Sequence, residues 1–439
     1  ILVGATAAGL FTTKLVGETA PIAFEIIEES GVSGSVSGAQ SFKGLANLGA
    51  YKIEKTLSIA TEGEAAGRAI KISTRAFGDL SKFPGFQLSL SDEIKAPVRA
   101  SFFAPSYDHH DWFVSYEDTD KRVIVAPDKP EEVRFNTVRA AALSSHYFTA
   151  AIADNSSLRP TFHGLPVTPK GAGFEGVGYL EYKPMTRADE FKTEQTVYIG
   201  PKDVDALRAA DRVLSSVIDY GMFAVIAEPL VWLLRLFHSW FGNWGFAIIG
   251  LTIVVRLLVL PFNIYSFKSM KVMQKIQPQM QAVRERFKDD PRRMNEEVMR
   301  LMKENKANPL GGCLPMLLQL PVFFALYQVL AMSIELYRQP FVFWIHDLTV
   351  KDPFFVLPIL MGVSMFVQQK ITPVADPQQA KILIWMPVIF SALMFTLPSG
   401  LTLYIFVSTL FGIVQQYVLM RDKAPATQNG QKTVHQAKA

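Results

Sequence analysis

Residues 252–262 read TIVVRLLVLPF, a run that hydrocarbon accepts but for one permanent positive charge, Arg256. The run extends in both directions: residues 245–266 hold no other charged side chain. At about 1.5 Å per residue, a helix over that stretch covers about the 30 Å hydrocarbon thickness of a bilayer. Arg256 falls near its middle, where a charge costs about 2.5 kcal/mol on insertion scales and more on an isolated helix. Something in the fold has to offset that cost.

The remainder of the carboxyl-terminal half reads the same way. No Asp, Glu, Lys or Arg occurs in residues 307–334, 353–369 or 382–420. Spans are expected at 311–334 and 353–369, and the longest run divides at Pro398, Ser399 and Gly400 into two helices joined by a tight turn. With 245–266 this makes five spans. None contains an Asp or Glu, and Glu335 lies at the end of its span, so an ion pair inside the bundle is not expected. A voltage sensor needs several regularly spaced arginines, and a proton relay needs acidic or histidine companions; the spans supply neither. The reading left is a water-filled cavity lined by neutral polar groups. Its candidates are Thr252, one turn before Arg256, with Gln319, Gln328, Ser364, Gln368, Gln369, Ser408, Gln415 and Gln416. Taken singly, each also reads as an ordinary helix contact.

Loop charge orients the spans. Residues 267–310 carry eleven Lys and Arg, against Arg338 and Lys351 in 335–352, so the former side is cytoplasmic. The tail with Arg421, Lys423, Lys432 and Lys438 falls on the same side, and the amino-terminal domain falls outside. Export of that domain calls for a signal or a further span upstream. The run ILVGATAAGLFTTKLVG at 1–17, interrupted by Lys14, reads as strand or linker.

In residues 1–202 short alternating runs, KRVIVAP at 121–127, VGYLEYKP at 177–184 and QTVYIGP at 195–201, recur between turn-forming clusters, which predicts an all-β sandwich. The Gly/Ser-rich GVSGSVSG at 31–38 reads as a loop. Residues 203–244 read as a helical region whose aromatic part, LVWLLRLFHSWFGNW, suits the membrane interface; a helix packed on the sandwich is the alternative. The bundle is assigned to 245–423 and a basic tail to 424–439. Within the cytoplasmic segment 267–310, Met273, Ile276, Met280, Val283 and Phe287 follow 3,4 spacing. Asp290 and Pro291 then start a second helix with Met294, Val298 and Leu301, giving a helical hairpin whose first arm Pro278 should kink or interrupt. Met273, Met280, Met294 and Met299 are either its core or an adaptable apolar surface for clients.

No catalytic machinery is visible. GAGFEG at 171–176 is followed by strand-like sequence where a nucleotide fold needs a helix, so it reads as a hairpin loop. Asp108, His109, His110 and Asp111 alternate sides on a strand without further clustered ligands, which argues against a metal. Cys313, alone in the 439 residues, forms no internal disulfide and reads as a packing residue. A net charge of +4 does not by itself call for nucleic acid, and no DNA is expected as a partner.

The stretches NWGFAIIGLTIVVRLLVLPF (243–262), NPLGGCLPMLLQLPVFFALY (308–327), FWIHDL (343–348), LPILMGVSMF (357–366) and LPSGLTLY (397–404) resemble, in this order, the YidC membrane-protein insertases of the Oxa superfamily. The resemblance covers residues 200–420 and is weaker over 1–200, which would be the periplasmic sandwich of Gram-negative members. It implies a cofactor-free, non-enzymatic insertase and chaperone of the bacterial inner membrane. Such a protein takes nascent membrane proteins from the ribosome or the Sec translocon and releases them into the lipid bilayer. It also implies that Arg256 is the groove arginine, that Thr252 lines the same groove, and that Tyr404 stands where the family has an aromatic client contact; the following position, often aromatic in the family, is Ile405. Gln319 and Gln369 complete the client-binding set. Two competing readings are a small-anion carrier built on Arg256, which would show internal repeats, and a scaffold anchored by its spans.

Overall fold

The computed structural model describes residues 11–18, 20–30, 40–94, 110–117, 119–125, 132–166, 168–170, 173–184, 190–305, 314–371 and 385–421. Cys313, Asp108, His109, Gly171, the 31–38 loop and the basic tail lie outside them. The chain forms two compact units, residues 1–219 with 332–335, and residues 220–331 with 336–439.

The first unit is a sandwich of two antiparallel sheets. Its strands are β1 (Phe11–Leu15), β2 (Glu25–Ser30), β3 (Gln40–Leu48), β4 (Tyr51–Ile59), β5 (Ala69–Gly78), β6 (Phe86–Ile94), β7 (His110–Tyr116), β8 (Thr119–Val125), β9 (Val133–Phe135), β10 (Val138–Ser144), β11 (Phe148–Asp154), β12 (Thr161–Gly164), β13 (Thr168–Lys170), β14 (Gly173–Tyr182) and β15 (Glu190–Pro201). One sheet runs β2-β3-β4-β5-β15-β11-β10-β7-β8; the other runs β1-β6-β14-β12-β9, with β13 on β14. Alternation puts Ile53 and Leu57 of β4, Ile72 and Ala76 of β5, and Leu88 and Leu90 of β6 between the sheets. Trp112 and Phe162 meet edge to face across this core, 5.4 Å between ring centroids. A Cβ on Gly178 would come within 2.9 Å of both rings, so only glycine lets β14 pass beneath them.

β10 is buried on both faces. Ala141 and Leu143 face the sandwich core, while Ala140 and Ala142 face a second cluster with Leu207, Leu214 and Val217. Those last residues belong to α1 (Val204–Ala210), capped by Asp203, and to a 3₁₀ segment, Arg212–Val217, capped by Asp211. Residues 203–218 therefore pack on the sheet, and the 203–244 region read as one interfacial stretch divides between the two units. Arg122 pins the segment's end: its guanidinium donates to the Ser216 and Val217 carbonyls (2.9 and 2.8 Å) and pairs with Asp111 (3.3 Å) and Asp219 (3.0 Å). Asp111, considered above for a metal, is engaged by that arginine.

Asp154 at the end of β11 accepts from the Tyr182 hydroxyl (3.1 Å) and the Ser156 hydroxyl (2.7 Å), yet burial pushes its carboxyl up to about 6. The folded value lies above the unfolded 3.8, so the contribution to stability is complete below pH 4 and is lost as pH rises through 6, about 3 kcal/mol in all. Hydrogen exchange of the β11 and β15 amides should lose protection between pH 4 and 6, and Asp154→Asn should abolish that slope. A slope unchanged in the Asn variant would refute the assignment.

The second unit is helical: α2 (Ala224–Phe241), α3 (Trp244–Arg286), α4 (Pro291–Glu304), α5 (Leu314–Met332), α6 (Val356–Ile371), α7 (Met386–Met394) and α8 (Ser399–Arg421). Three stretches are long and apolar enough to cross a membrane: Gly221–Phe241, Trp244–Met273 and Ser399–Leu419. Gln319–Met332 and Val356–Ile371 are shorter apolar helices, and α7 has nine described residues. Of the five expected spans, α3 and α8 alone meet the length criterion among the described residues, and α5, α6 and α7 fall short of it; α2, expected to lie in the interface, meets the criterion itself. The division at Pro398 is present, between α7 and α8.

Helix α3 begins at Asn243, whose Oδ1 accepts from the Gly245 and Phe246 amides (2.9 and 3.2 Å). It continues without a break past Pro261 and Pro278 for 43 residues, so the interruption expected at Pro278 is absent. Contacts with α4 on both sides of Pro278 explain why the rod survives a missing backbone bond. Asp290 caps α4 with Pro291 in its first turn. Met280 and Met302 are buried in this small interface with Ile276, Met273 packs against it and Met294 is half-buried, whereas Met299 is 51% exposed.

Candidate functional site

The span-length part of α3, Trp244–Met273, is apolar by composition but two-faced in the fold. Ile253, Leu257, Leu258, Phe262 and Tyr265 are exposed, whereas Thr252, Asn263 and Ser266 are buried and Arg256 half-buried. Spacings of four, seven and three put these four polar residues on the one side that packs into the bundle.

The partner surface is α8. Arg256 Nε donates to Ser408 Oγ at 2.7 Å, and Asn263 Nδ2 reaches Gln415 Oε1 at 3.5 Å, the outer limit of a hydrogen bond. Both pairs are 152 residues apart, so α3 and α8 run parallel and in register. One step further, Lys271 Nζ donates to the Leu419 carbonyl at 2.5 Å. A polar seam recurring at about two helical turns therefore descends from Arg256 to the end of α8. Tyr404, one turn before Ser408, is 2% exposed and accepts from Gln319 Nε2 of α5 at 2.8 Å. Arg256, Ser408, Tyr404 and Gln319 form one network drawn from three helices.

Thr252 is not part of it. The residue is 0% exposed, and its hydroxyl is taken up by the Ile248 carbonyl of its own helix at 2.6 Å. Gln369, on α6, is half-buried, and its Oε1 lacks a hydrogen-bond partner, as do Gln328 Oε1 and Gln415 Nε2. Buried amides in that state call for water, since an unmade hydrogen bond costs about 1–3 kcal/mol. The neighbouring Gln368 of α6 lies so close to Gly412 that a Cβ there would stand 2.5 Å from its Nε2, so any larger residue at 412 would displace the amide. Among the described residues no carboxylate pairs with Arg256, and no group of three or more His, Cys, Asp or Glu is placed to hold a metal. The methionines of the α3–α4 pair are separate from this network.

Sequence reasoning listed Ser408 among many polar candidates without reason to single it out, and it missed Asn263. The signal was present as a shared spacing, 256 to 263 and 408 to 415, but only the helix register pairs the two series.

Residues 236–427 match the family model described as 60Kd inner membrane protein, and residues 90–233 match that of the YidC periplasmic domain. A relative from Campylobacter jejuni named membrane protein insertase YidC is 37% identical over 399 residues, 90% of this chain and 70% of its own length. One of the same name from Anaeromyxobacter dehalogenans is 44% identical over 321 residues, 71% of this chain and 57% of its own. A solved structure described as active YidC insertase with the first transmembrane domain resolved is 21% identical, covering 94% of this chain and 83% of that one, with a TM-score of 0.43. The name describes an insertase and not a catalytic enzyme. By identity and extent of match, the chain belongs to the YidC family of membrane protein insertases.

Proposed function

We propose that this chain passes hydrophobic segments of nascent membrane proteins into the lipid bilayer through a polar groove built on Arg256, Ser408, Gln319, Gln369 and Tyr404. The observation that carries the reading is a guanidinium midway along a span-length apolar helix, bonded to a serine and to no carboxylate among the described residues. Such a charge is tolerable where water reaches it, and Gln369 Oε1 and Gln415 Nε2, which lack protein partners, are hydrated on the same reasoning. A wet, positively charged recess lowers the desolvation cost of the polar flank of an incoming helix while the apolar part partitions into lipid. Acidic residues in the flank gain most. Tyr404, buried and bonded to Gln319, backs the recess and does not project from it.

The topology follows from register and charge. Because α3 and α8 are parallel, the chain between them must cross the membrane an odd number of times, which α5, α6 and α7 satisfy. Positive loops stay inside, so the α3–α4 hairpin and the tail are cytoplasmic and α3 starts at the periplasmic face. Helix α2, joined to α3 through Gly242 and Asn243, then has both ends on that face; it lies in the interface with Trp232 and Trp240 outward although it is long enough to span. Clients arrive from the ribosome or the Sec translocon, and Met299 is the hairpin methionine available to them.

Photo-cross-linkers at Gln319, Thr252, Tyr404 and Leu258, used with a stalled nascent membrane protein, test the groove. Gln319 should give the strongest product and buried Thr252 little. Products concentrated at Leu258, on the exposed side of α3, would overturn the reading.

A further inference from the structure

Residues 336–355, between α5 and α6, are stitched to the first turns of three helices. At α3, Asn243 Nδ2 donates to the carbonyls of Pro340 and Phe341 (3.2 and 3.3 Å), and the Phe341 ring lies against Gly245 where any Cβ would collide with it. At α8, the Ser399 amide donates to the Val350 carbonyl (2.8 Å), its hydroxyl to the Asp347 carbonyl (2.9 Å), and the Gly400 amide to the Leu348 carbonyl (2.9 Å). At α6, the buried Asp352 carboxylate accepts from the Leu357 amide (2.7 Å), the Phe354 amide (3.0 Å) and Trp344 Nε1 (2.9 Å). Ile345 and Leu348 are buried in the bundle core. With so many backbone groups fixed, the segment is a rigid frame.

That frame displays aromatic rings outward. Phe343 is 84% exposed and Phe354 67%, with Val350 also exposed. Phe343 and Phe355 have φ of +55° and +57°, the left-handed region that costs a bulky residue free energy. In water the Phe343 ring would also bear the cost of apolar hydration. Exposed apolar surface then continues without interruption from Phe354 and Phe355 along α6 through Ile359, Val363 and Phe366. Exposed Lys351 lies between Phe343 and Phe354 in sequence, and cations and aromatics together suit a headgroup boundary.

We propose that this segment is a preformed membrane anchor, with Phe343 and Phe354 inserted at the boundary between headgroups and acyl chains on the side where α3, α6 and α8 begin. The occupant is lipid because the rings continue the apolar outer side of α6, which in a membrane protein of this family faces acyl chains. The anchor sets depth: twelve residues separate Trp244, at the start of α3, from Arg256, about 18 Å along the axis. Holding the three helix starts at the boundary holds the arginine near the bilayer centre. The proposal rests on membrane embedding and not on client insertion, so the two fail separately.

Spin labels on Phe343→Cys and Phe354→Cys, each in a Cys313→Ser chain reconstituted in phosphatidylethanolamine and phosphatidylglycerol vesicles, test it by power saturation. Lys52→Cys, exposed on β4, is the aqueous reference. The ratio of collision with oxygen to collision with a water-soluble nickel chelate should be several-fold higher at 343 and 354 than at 52. A ratio equal to that at 52 would place the rings in water, and exclusion of both reagents would place them under protein; either result overturns the proposal.

Discussion

Arg256→Ala is expected to lower insertion of clients with acidic translocated flanks by at least about tenfold in proteoliposomes, while Arg256→Lys retains most of it. A tenfold loss corresponds to about 1.4 kcal/mol, well within what one charge pair supplies at partly hydrated positions, about 4 kcal/mol at 4 Å for an effective dielectric of 20. Lysine keeps the charge but not the planar donor set that reaches Ser408 Oγ, so a modest deficit is expected there. Clients whose flanks lack Asp and Glu serve as the internal control and should insert nearly normally with alanine. Equal insertion of acidic clients by both forms would show that the charge is not what the groove offers them.

The second large effect lies in the sandwich. Lys55 of β4 points between the sheets beside Ile53 and Leu57, 5% exposed, with its ammonium donating to Thr13 Oγ1 at 2.7 Å and lying 5.7 Å from the Phe24 ring centre. Burial lowers its pKa to about 8. The folded value is below the unfolded 10.5, so the associated stability is present above pH 10.5 and lost as pH falls through 8, leaving the fold about 3 kcal/mol short at neutral pH. Lys55→Met keeps the length of the side chain and removes the charge. It should slow hydrogen exchange of the β4 and β5 amides at pH 7 by an amount equivalent to 2–3 kcal/mol, about the size of that deficit. The gain should shrink as pH rises from 8 towards 10, because the wild type discharges its lysine on its own. A gain independent of pH would mean that packing, not charge burial, separates the two forms.

Much of this architecture could be read locally. Strand alternation in residues 1–202, the apolar runs, the break at Pro398 and the Asp290–Pro291 helix start all depend on neighbours in sequence, and each recurs in the fold. Resemblance in the membrane half also pointed to the family to which the chain belongs. What sequence reading handled badly was any feature whose partner is distant. Pro278 predicts an interruption or a kink by local sterics, yet the helix runs through it uninterrupted, with packing against α4 on both sides. Thr252 shares a face with Arg256, as i and i+4 must, but its hydroxyl is consumed one turn back by Ile248. Lys55 occupies an ordinary position in an alternating strand, and nothing in its neighbours announces that the opposite sheet covers it.

Sequence by itself determined the two kinds of unit, the apolar lengths and the presence of an arginine without an acidic companion, because composition and periodicity are properties of a single segment. Tertiary structure decided which polar groups meet that arginine, which methionines are buried and which loop aromatics remain outside. Those outcomes depend on the register of α3 against α8 and on the close approach that Gly412 and Gly245 permit. Register between helices is set by side-chain packing summed over many contacts between segments far apart in the chain, and no single segment carries that sum.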